Sequence, residues 1–353
     1  MKKVLFASTA LVATAGVAAA EIKITGSAEM GITGGSGGVV TQFHEDVDVN
    51  FSMSGETDGG LSFGVAVDLD EAAGLGTTGN NGTAVFIKGG FGTLTMGDTD
   101  GALDYALQEA SIGAAGSIAD NETSHAGYNG SYLDGMYDNQ VVRYDNSFGD
   151  FSFAVSAELD DSAATRQANG FAVGFKYKAD LGGNAITIGL GHQTSTFNNT
   201  HTAAAAKKFF GYTETAAMGA AGLGTKAKAT GISVSGTFGG GFSAAVEYTT
   251  VKLSGTAAQL GAVQAAYFGG GAVTKINHMG VGVGYTSNGF TVGANYGSYK
   301  TNLGTVATKN TGYGLSAGYD LGGGAKIKAG WQSSQVGAAA RTSTYSIGLA
   351  LSF

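Results

Sequence analysis

Apolar side chains occupy every second position through most of this chain, and the positions between them hold small or polar residues. The closing segment Tyr345-Ser346-Ile347-Gly348-Leu349-Ala350-Leu351-Ser352-Phe353 shows the pattern plainly. A period of two sends successive side chains to opposite faces of a pleated strand, so each such segment has one oily and one wet face. No helical period of comparable length interrupts it. Carried from end to end, the alternation predicts an all-β fold, an antiparallel up-and-down barrel with lipid outside and water inside.

About sixteen strands can be read, each near the length that a tilted transmembrane strand needs. The first begins at Glu21 and sets Ile22, Ile24, Ala28 and Met30 against Lys23, Thr25, Ser27 and Glu29. Val47, Val49, Phe51 and Met53 follow, then Leu61, Phe63, Val65, Val67 and Leu69, and the pattern continues to the terminal strand. Short connectors rich in Gly, Asp or Asn, such as Ser54 to Gly60, Gly89 to Gly92 and Asp320 to Gly324, alternate with longer ones near 32–42, 71–80, 98–139, 160–168, 195–228, 253–273, 301–310 and 334–341. Short periplasmic turns and long outer loops are the asymmetry of outer-membrane barrels. Aromatics at strand ends, among them Phe151, Tyr177, Phe242, Tyr285, Phe290 and Tyr319, would form an interfacial girdle beside the short turns.

Composition narrows the class. The chain has 62 Gly, no Pro and no Cys in 353 residues, and 13% charged residues. A soluble β-sandwich or solenoid would need polar faces rich in Lys and Glu, which so low a charge content does not supply. Missing cysteine removes a disulfide framework and thiolate metal sites. No stretch supplies the apolar length of a membrane helix, so entry into a bilayer must be by a barrel. Met1-Lys2-Lys3, the apolar run Val4 to Val17 and Ala18-Ala19-Ala20 read as a secretory signal over residues 1–20, leaving a barrel domain over 21–353. Without Lys2 and Lys3 the formal charge of −8 becomes about −10, too acidic for a nucleic-acid partner.

One connector exceeds what a hairpin needs, and loops of that length are usually functional. Residues 98–139 carry Asp98, Asp100, Asp104, Glu109, Asp120, Glu122, Asp134 and Asp138 with no Lys or Arg. Folded into the lumen, this segment would narrow the aqueous channel that a barrel of this size encloses. Taking the apolar neighbours as lipid-facing, Lys23, Lys88, Arg143 and Lys176 point inward as a basic wall, with Lys178, Lys326 and Lys328 near the short turns at the periplasmic mouth. An acidic wall opposite a basic one sets up a transverse field that filters ions. The carboxylate pairs Asp68/Asp70 and Asp98/Asp100 offer oxygen ligands for a structural Ca²⁺; no other cofactor is expected.

Three stretches resemble a known family. Ser52-Met53-Ser54-Gly55-Glu56-Thr57-Asp58-Gly59-Gly60-Leu61-Ser62-Phe63-Gly64, Gly89-Gly90-Phe91-Gly92-Thr93-Leu94-Thr95-Met96-Gly97-Asp98 and Tyr313-Gly314-Leu315-Ser316-Ala317-Gly318-Tyr319-Asp320-Leu321-Gly322-Gly323-Gly324 are similar, in this order, to the general porins of α-proteobacteria, of the Rhodobacter type. The resemblance implies sixteen strands, a homotrimer, a third loop folded inward as the constriction, and a terminal Phe353 read by the barrel-assembly machinery. It matches the third loop to 98–139 and a basic residue after it to Arg143. The Pro-Glu-Phe-Gly-type motif of many enterobacterial porins is absent from this loop. Asp104, Glu109, Asp120 and Glu122 are the acids expected at the eyelet.

Catalytic motifs are not assembled. None of the five His sits in a metal-ligand spacing, His278 reads as a polar pore-wall group, and the GxG pairs at Gly74 and Gly282 lack a third glycine and a following helix. An outer-face hydrolase would have to use His192 and Ser195, with no third partner placed. Asn198-Asn199-Thr200 is a sequon without meaning in a bacterial envelope. The expected function is passive diffusion of small hydrophilic solutes and ions across the bacterial outer membrane, with mild cation preference and with lipid and lipopolysaccharide as neighbours. A substrate-specific channel for a sugar or carboxylate, and an adhesin or structural barrel, are the alternatives.

Overall fold

A computed structural model of the chain describes residues 21–71, 78–130, 132–133, 141–159, 169–197 and 208–353. The expected leader, Asp134, Asp138 and the sequon lie outside them. The strands are β1 (Glu21–Gly35), β2 (Gln42–Glu56), β3 (Ser62–Glu71), β4 (Thr78–Gly89), β5 (Gly92–Gly97), β6 (Val141–Phe148), β7 (Phe151–Glu158), β8 (Gly170–Asp180), β9 (Ala185–Thr196), a small separate hairpin β10 (Lys208–Phe209) and β11 (Tyr212–Thr213), then β12 (Lys226–Phe238), β13 (Phe242–Ser254), β14 (Lys275–Ser287), β15 (Phe290–Thr301), β16 (Lys309–Gly322), β17 (Ala325–Val336) and β18 (Thr342–Ser352). All but β10 and β11 close a sixteen-stranded antiparallel barrel, with β9 beside β12 and β18 beside β1. The seam is zipped from Ser27↔Ser352 to Gly35↔Thr344, so no sheet edge is left.

Period two decides which face meets lipid. Large apolar groups are exposed all round the outside, up to 92% for Phe43, which would be untenable in water and is required in hydrocarbon. At the short-turn rim the expected girdle forms cross-strand pairs: Phe151 with Tyr177, Phe242 with Tyr285 and Phe290 with Tyr319, ring centroids 4.7, 4.6 and 4.3 Å apart. Strand pairing runs further at the loop end than side-chain alternation indicates. β1 reaches Gly35 rather than stopping near Met30, because Gly31, Gly34 and Gly35 continue the backbone ladder without an apolar signature.

The buried apolar core lies inside the barrel, where the long loops fold in. Leu103, Leu107, Tyr132 and Leu133 of the third loop pack with Phe197, Phe209, Phe210, Tyr212 and Met218 of the fifth, with Val263, Ala266 and Tyr267 of the sixth, and with wall residues such as Val251, Ile276 and Tyr299. The third loop carries one helical turn, α1 (Ala102–Ala106), and the sixth contains a longer helix the alternation did not announce, α2 (Ala257–Phe268). A reciprocal capping box between Thr256 and Gln259 starts α2, and Gly269 in the left-handed region, φ 66°, ends it.

Candidate pore constriction

The third loop, described over 98–130 and 132–133, turns into the barrel directly after β5. Its helical turn α1 buries Ala102, Leu103 and Ala106 against β7, β8 and β9. The wall there is bare: a Cβ at Gly174 or Gly189 would overlap the carbonyl oxygen of Ala102 or Ala106. The loop then crosses the lumenal faces of successive strands, and serine hydroxyls on the wall accept its backbone N–H groups. Ala102 N donates to Ser156 Oγ at 2.8 Å, Gln108 N to Ser233 Oγ at 2.9 Å and Ala115 N to Ser316 Oγ at 3.0 Å. At the far end Asn121 donates to Thr344 on β18 at 2.9 Å, and Ile118 is buried beside Gly31 and Gly348.

A return leg is pinned as firmly. Asn295 donates to the Glu122 carbonyl at 2.7 Å, Ala126 N to Ser334 Oγ at 2.9 Å and Tyr299 to the Tyr128 carbonyl at 2.9 Å, while His278 Nε2 meets the Gly127 carbonyl at 2.9 Å. His278, expected as a pore-wall group, is therefore covered by the loop and anchors it. Glu247 of β13, 1% exposed, accepts from Ala110 N at 3.2 Å and from Tyr132 at 2.7 Å. Sequence reading singled out neither Glu247 nor the wall serines. An isolated acid between Val246 and Tyr248 in the most acid-poor part of the chain was the available signal for Glu247.

The expected eyelet acids divide. Asp104 is half-buried on α1, close enough to Lys176 to act on it electrostatically, and Asp120 is exposed at a tight turn, φ 45°. Glu109 is half-buried and receives the Tyr128 hydroxyl hydrogen bond; burial raises its carboxyl above the ordinary range. Glu122 does not line open water as expected. It is 4% exposed, takes the Ser117 hydroxyl at 2.6 Å and is likewise pushed up by burial, because the loop folds over it. Burial also lowers His125, whose ring meets Asn295 beneath the loop.

The basic wall also differs from a simple opposition. Arg143 sits at the root of the third loop, donating to the Asp100 carbonyl at 2.7 Å and to Asp145 at 3.2 Å. Arg143 and Lys176 flank the Tyr105 ring, at 4.9 and 4.0 Å from its centroid, so these cations stand beside the start of the loop rather than across the pore from it. Lys23 and Lys88 are exposed on the wall the loop leaves open. That same wall carries Glu29, Asp46, Asp48 and Asp68, with Ser27 donating to Asp48 at 2.9 Å. Lys328 pairs with Glu29 at 3.0 Å and lies by Gly116 of the loop, so it belongs to the constriction and not to the mouth. Asp98 and Asp100 are exposed, and among the described residues no three His, Asp or Glu gather at metal-binding spacing. His192 points outward beside Thr230 while Ser195 is buried inside, since positions three apart on a strand face opposite ways. Phe353 is 78% exposed at the short-turn rim, its backbone bonded to Gly26.

A family model for Gram-negative porins matches residues 7–339. The chain belongs to the Gram-negative porin family. It is 32% identical over 318 residues to a porin of Rhodobacter capsulatus, covering 88% of this chain and 93% of that protein. Among solved structures, a porin refined at 1.8 Å superposes with a TM-score of 0.67 at 24% identity, covering 94% of this chain and all of the other. A mutant of Rh. blastica porin gives 0.57 at 15% identity with the same coverage. These structures share the fold. As a porin the protein is a channel of the bacterial outer membrane, a family of channels rather than enzymes.

Proposed function

We propose that this porin passes small hydrophilic solutes and ions by passive diffusion through an eyelet bounded by the third loop on one side and β1–β5 on the other, with mild cation preference. The carrying observation is the continuous anchorage of the third loop along β7 to β18, which leaves the opposite wall free and lined by Glu29, Asp46, Asp48 and Asp68 as well as Lys23 and Lys88. Asp104 and Asp120 add negative charge from the loop side, and Arg143, Lys176 and Lys328 moderate it. Liposome swelling with neutral sugars of increasing size tests the reading: uptake falling smoothly with size supports a general pore, and saturable uptake of one sugar alone would make it a specific channel.

The working unit is a homotrimer on this reading. β5 has 6 residues and β6 and β7 have 8 each, shorter than the roughly 9–11 that a tilted strand needs to cross the hydrocarbon. Neighbouring copies would cover that low, apolar sector, where Met96, Phe148 and Phe151 face outward. Outer-membrane lipid and lipopolysaccharide would surround the rest, a leader over 1–20 would direct export, and the exposed Phe353 would be the handle for the barrel-assembly machinery. Crosslinking of folded protein in detergent should give a trimer as the limiting species.

A further inference from the structure

On the wall that the third loop leaves open, Met53, Val65, Val85, Met96 and Val142 pair in register across β2 to β6 and face the lipid. Met53, Val85 and Met96 are 40, 49 and 54% exposed there. The next row, Ser54, Gly64, Phe86, Thr95 and Arg143, has the opposite phase and faces the lumen.

Phe86 is out of keeping with that face. Among the Phe, Tyr and Trp side chains described on the barrel strands, Phe86 and Tyr299 alone take the lumenal phase. Tyr299 is 1% exposed beneath the loops, whereas Phe86 is only half-buried. A water-filled lumen is lined by polar groups, so a wetted ring is a cost that a plain conduit avoids. The backbone beside it is shaped to receive it: a Cβ at Gly64 would come within 2.6 Å of the Phe86 ring. Glycine there lets the ring lie back against β3, and its unburied part is turned to the lumen.

Groups that attract an anion stand around the ring. Lys88, exposed and two positions along β4, shares the lumenal face, with Thr93 opposite it. Thr95 separates Phe86 from Arg143, whose backbones are two strand spacings, about 10 Å, apart. Asp145, the acid opposite Thr93, is paired with Arg143 at 3.2 Å. Among the described residues no ion pair engages Lys88. The row lies two residues, about 7 Å of strand, on the short-turn side of Gly97, where the third loop leaves the wall. A solute leaving the eyelet toward that rim crosses it.

We propose that Phe86, Lys88, Thr95 and Arg143 form a weak subsite for small aromatic carboxylates. The solute's ring stacks on Phe86, and its carboxylate sits between Lys88 and Arg143 over the Thr95 hydroxyl. An aliphatic acid forfeits the first contact and an aromatic amine the second. The subsite orders solutes among themselves, while the acids elsewhere on wall and loop keep the net ion preference. The inference rests on the porin reading and deepens it by naming a solute class that the pore retains.

Planar-bilayer recordings in potassium chloride at neutral pH give the concentration at which benzoate, butanoate or benzylammonium halves the current. Benzoate should do so at about fivefold lower concentration than either of the others. Phe86→Leu should bring benzoate level with butanoate, and Lys88→Gln should raise the values for both acids about threefold and leave their ratio alone. Equal half-blocking by the two acids in the unsubstituted channel overturns the inference, as does a ring preference that survives in conducting Phe86→Leu or unchanged values for both acids in Lys88→Gln. If Phe86→Leu does not insert, the three probes on the unsubstituted chain and the Lys88→Gln values decide. A conducting channel without ring preference defeats only this inference, whereas inserted protein that does not conduct defeats the porin reading.

Discussion

Tyr132, near the end of the third loop, donates its phenolic hydrogen to Glu247 at 2.7 Å across 115 positions of sequence. The bond holds the return leg of the loop to β13, and the second oxygen of the same carboxylate holds the outgoing leg through Ala110 N. One buried side chain therefore clamps both legs against the wall. Glu247→Ala would leave two buried donors unpaired, a loss of about 1–3 kcal/mol. The expected result is a lower thermal midpoint and flickering single-channel currents, with Tyr132→Phe showing a weaker form of both; quiet currents in Glu247→Ala would show that the clamp does not govern the loop.

Acidity should act on the same loop. Burial raises the Glu109 and Glu122 carboxyls above the ordinary value of 4.5. A carboxyl held above its unfolded value binds its proton more tightly in the folded protein, so stability is gained as pH falls from the raised value to 4.5 and is lost as pH rises through that window. Cation preference should weaken as pH falls through the same window, because half-buried Glu109 loses its charge there. Reversal potentials measured from neutral to acidic pH check this; a cation preference that declines only below 4.5 would contradict it.

Arg143 offers a charge test with a built-in control. Arg143→Ala removes a cation from the lumen and the hydrogen bond to the Asp100 carbonyl, so both cation preference and conductance should rise. Arg143→Lys keeps the charge and loses the planar fork, so preference should stay near the parent value while the loop root loosens. Unchanged selectivity in Arg143→Ala would place the residue off the conduction path.

Glycines under the loop predict a steric effect. A Cβ at Gly282 would overlap the Ala110 carbonyl oxygen, and one at Gly174 that of Ala102. Gly282→Val must push the loop toward the pore centre or unseat it, at a cost of about 1–3 kcal/mol. Single-channel conductance should change by more than it does for Gly239→Ala at a short turn. Parental conductance in Gly282→Val would mean the loop does not lie on β14.

Much of this architecture was legible because the membrane enforces period two on every strand. Val246 and Tyr248 show their lipid face whatever surrounds them, and the length and single sign of 98–139 marked the inward loop. The sequence misled where that enforcement ends. Val251, Leu253 and Ile276 alternate like lipid-facing residues, yet they point inward, because the fifth and sixth loops build an apolar core inside the outer mouth. Thr256-Ala257-Ala258-Gln259 was the local signature of α2, but the helix is short and alanine-rich, with Leu260, Val263 and Tyr267 alone marking a helical stripe inside a long loop. Glu122 and Lys328 were misplaced for a related reason: period two assigns a face, and only the path of the third loop decides whether that face meets water or protein.

Planar-bilayer recording of the purified, folded chain under a salt gradient tests the central claim most directly. A water-filled lumen narrowed by an anchored loop should give ohmic steps that close in threes, with a reversal potential on the cation side. Inserted protein that leaves the membrane insulating would contradict it.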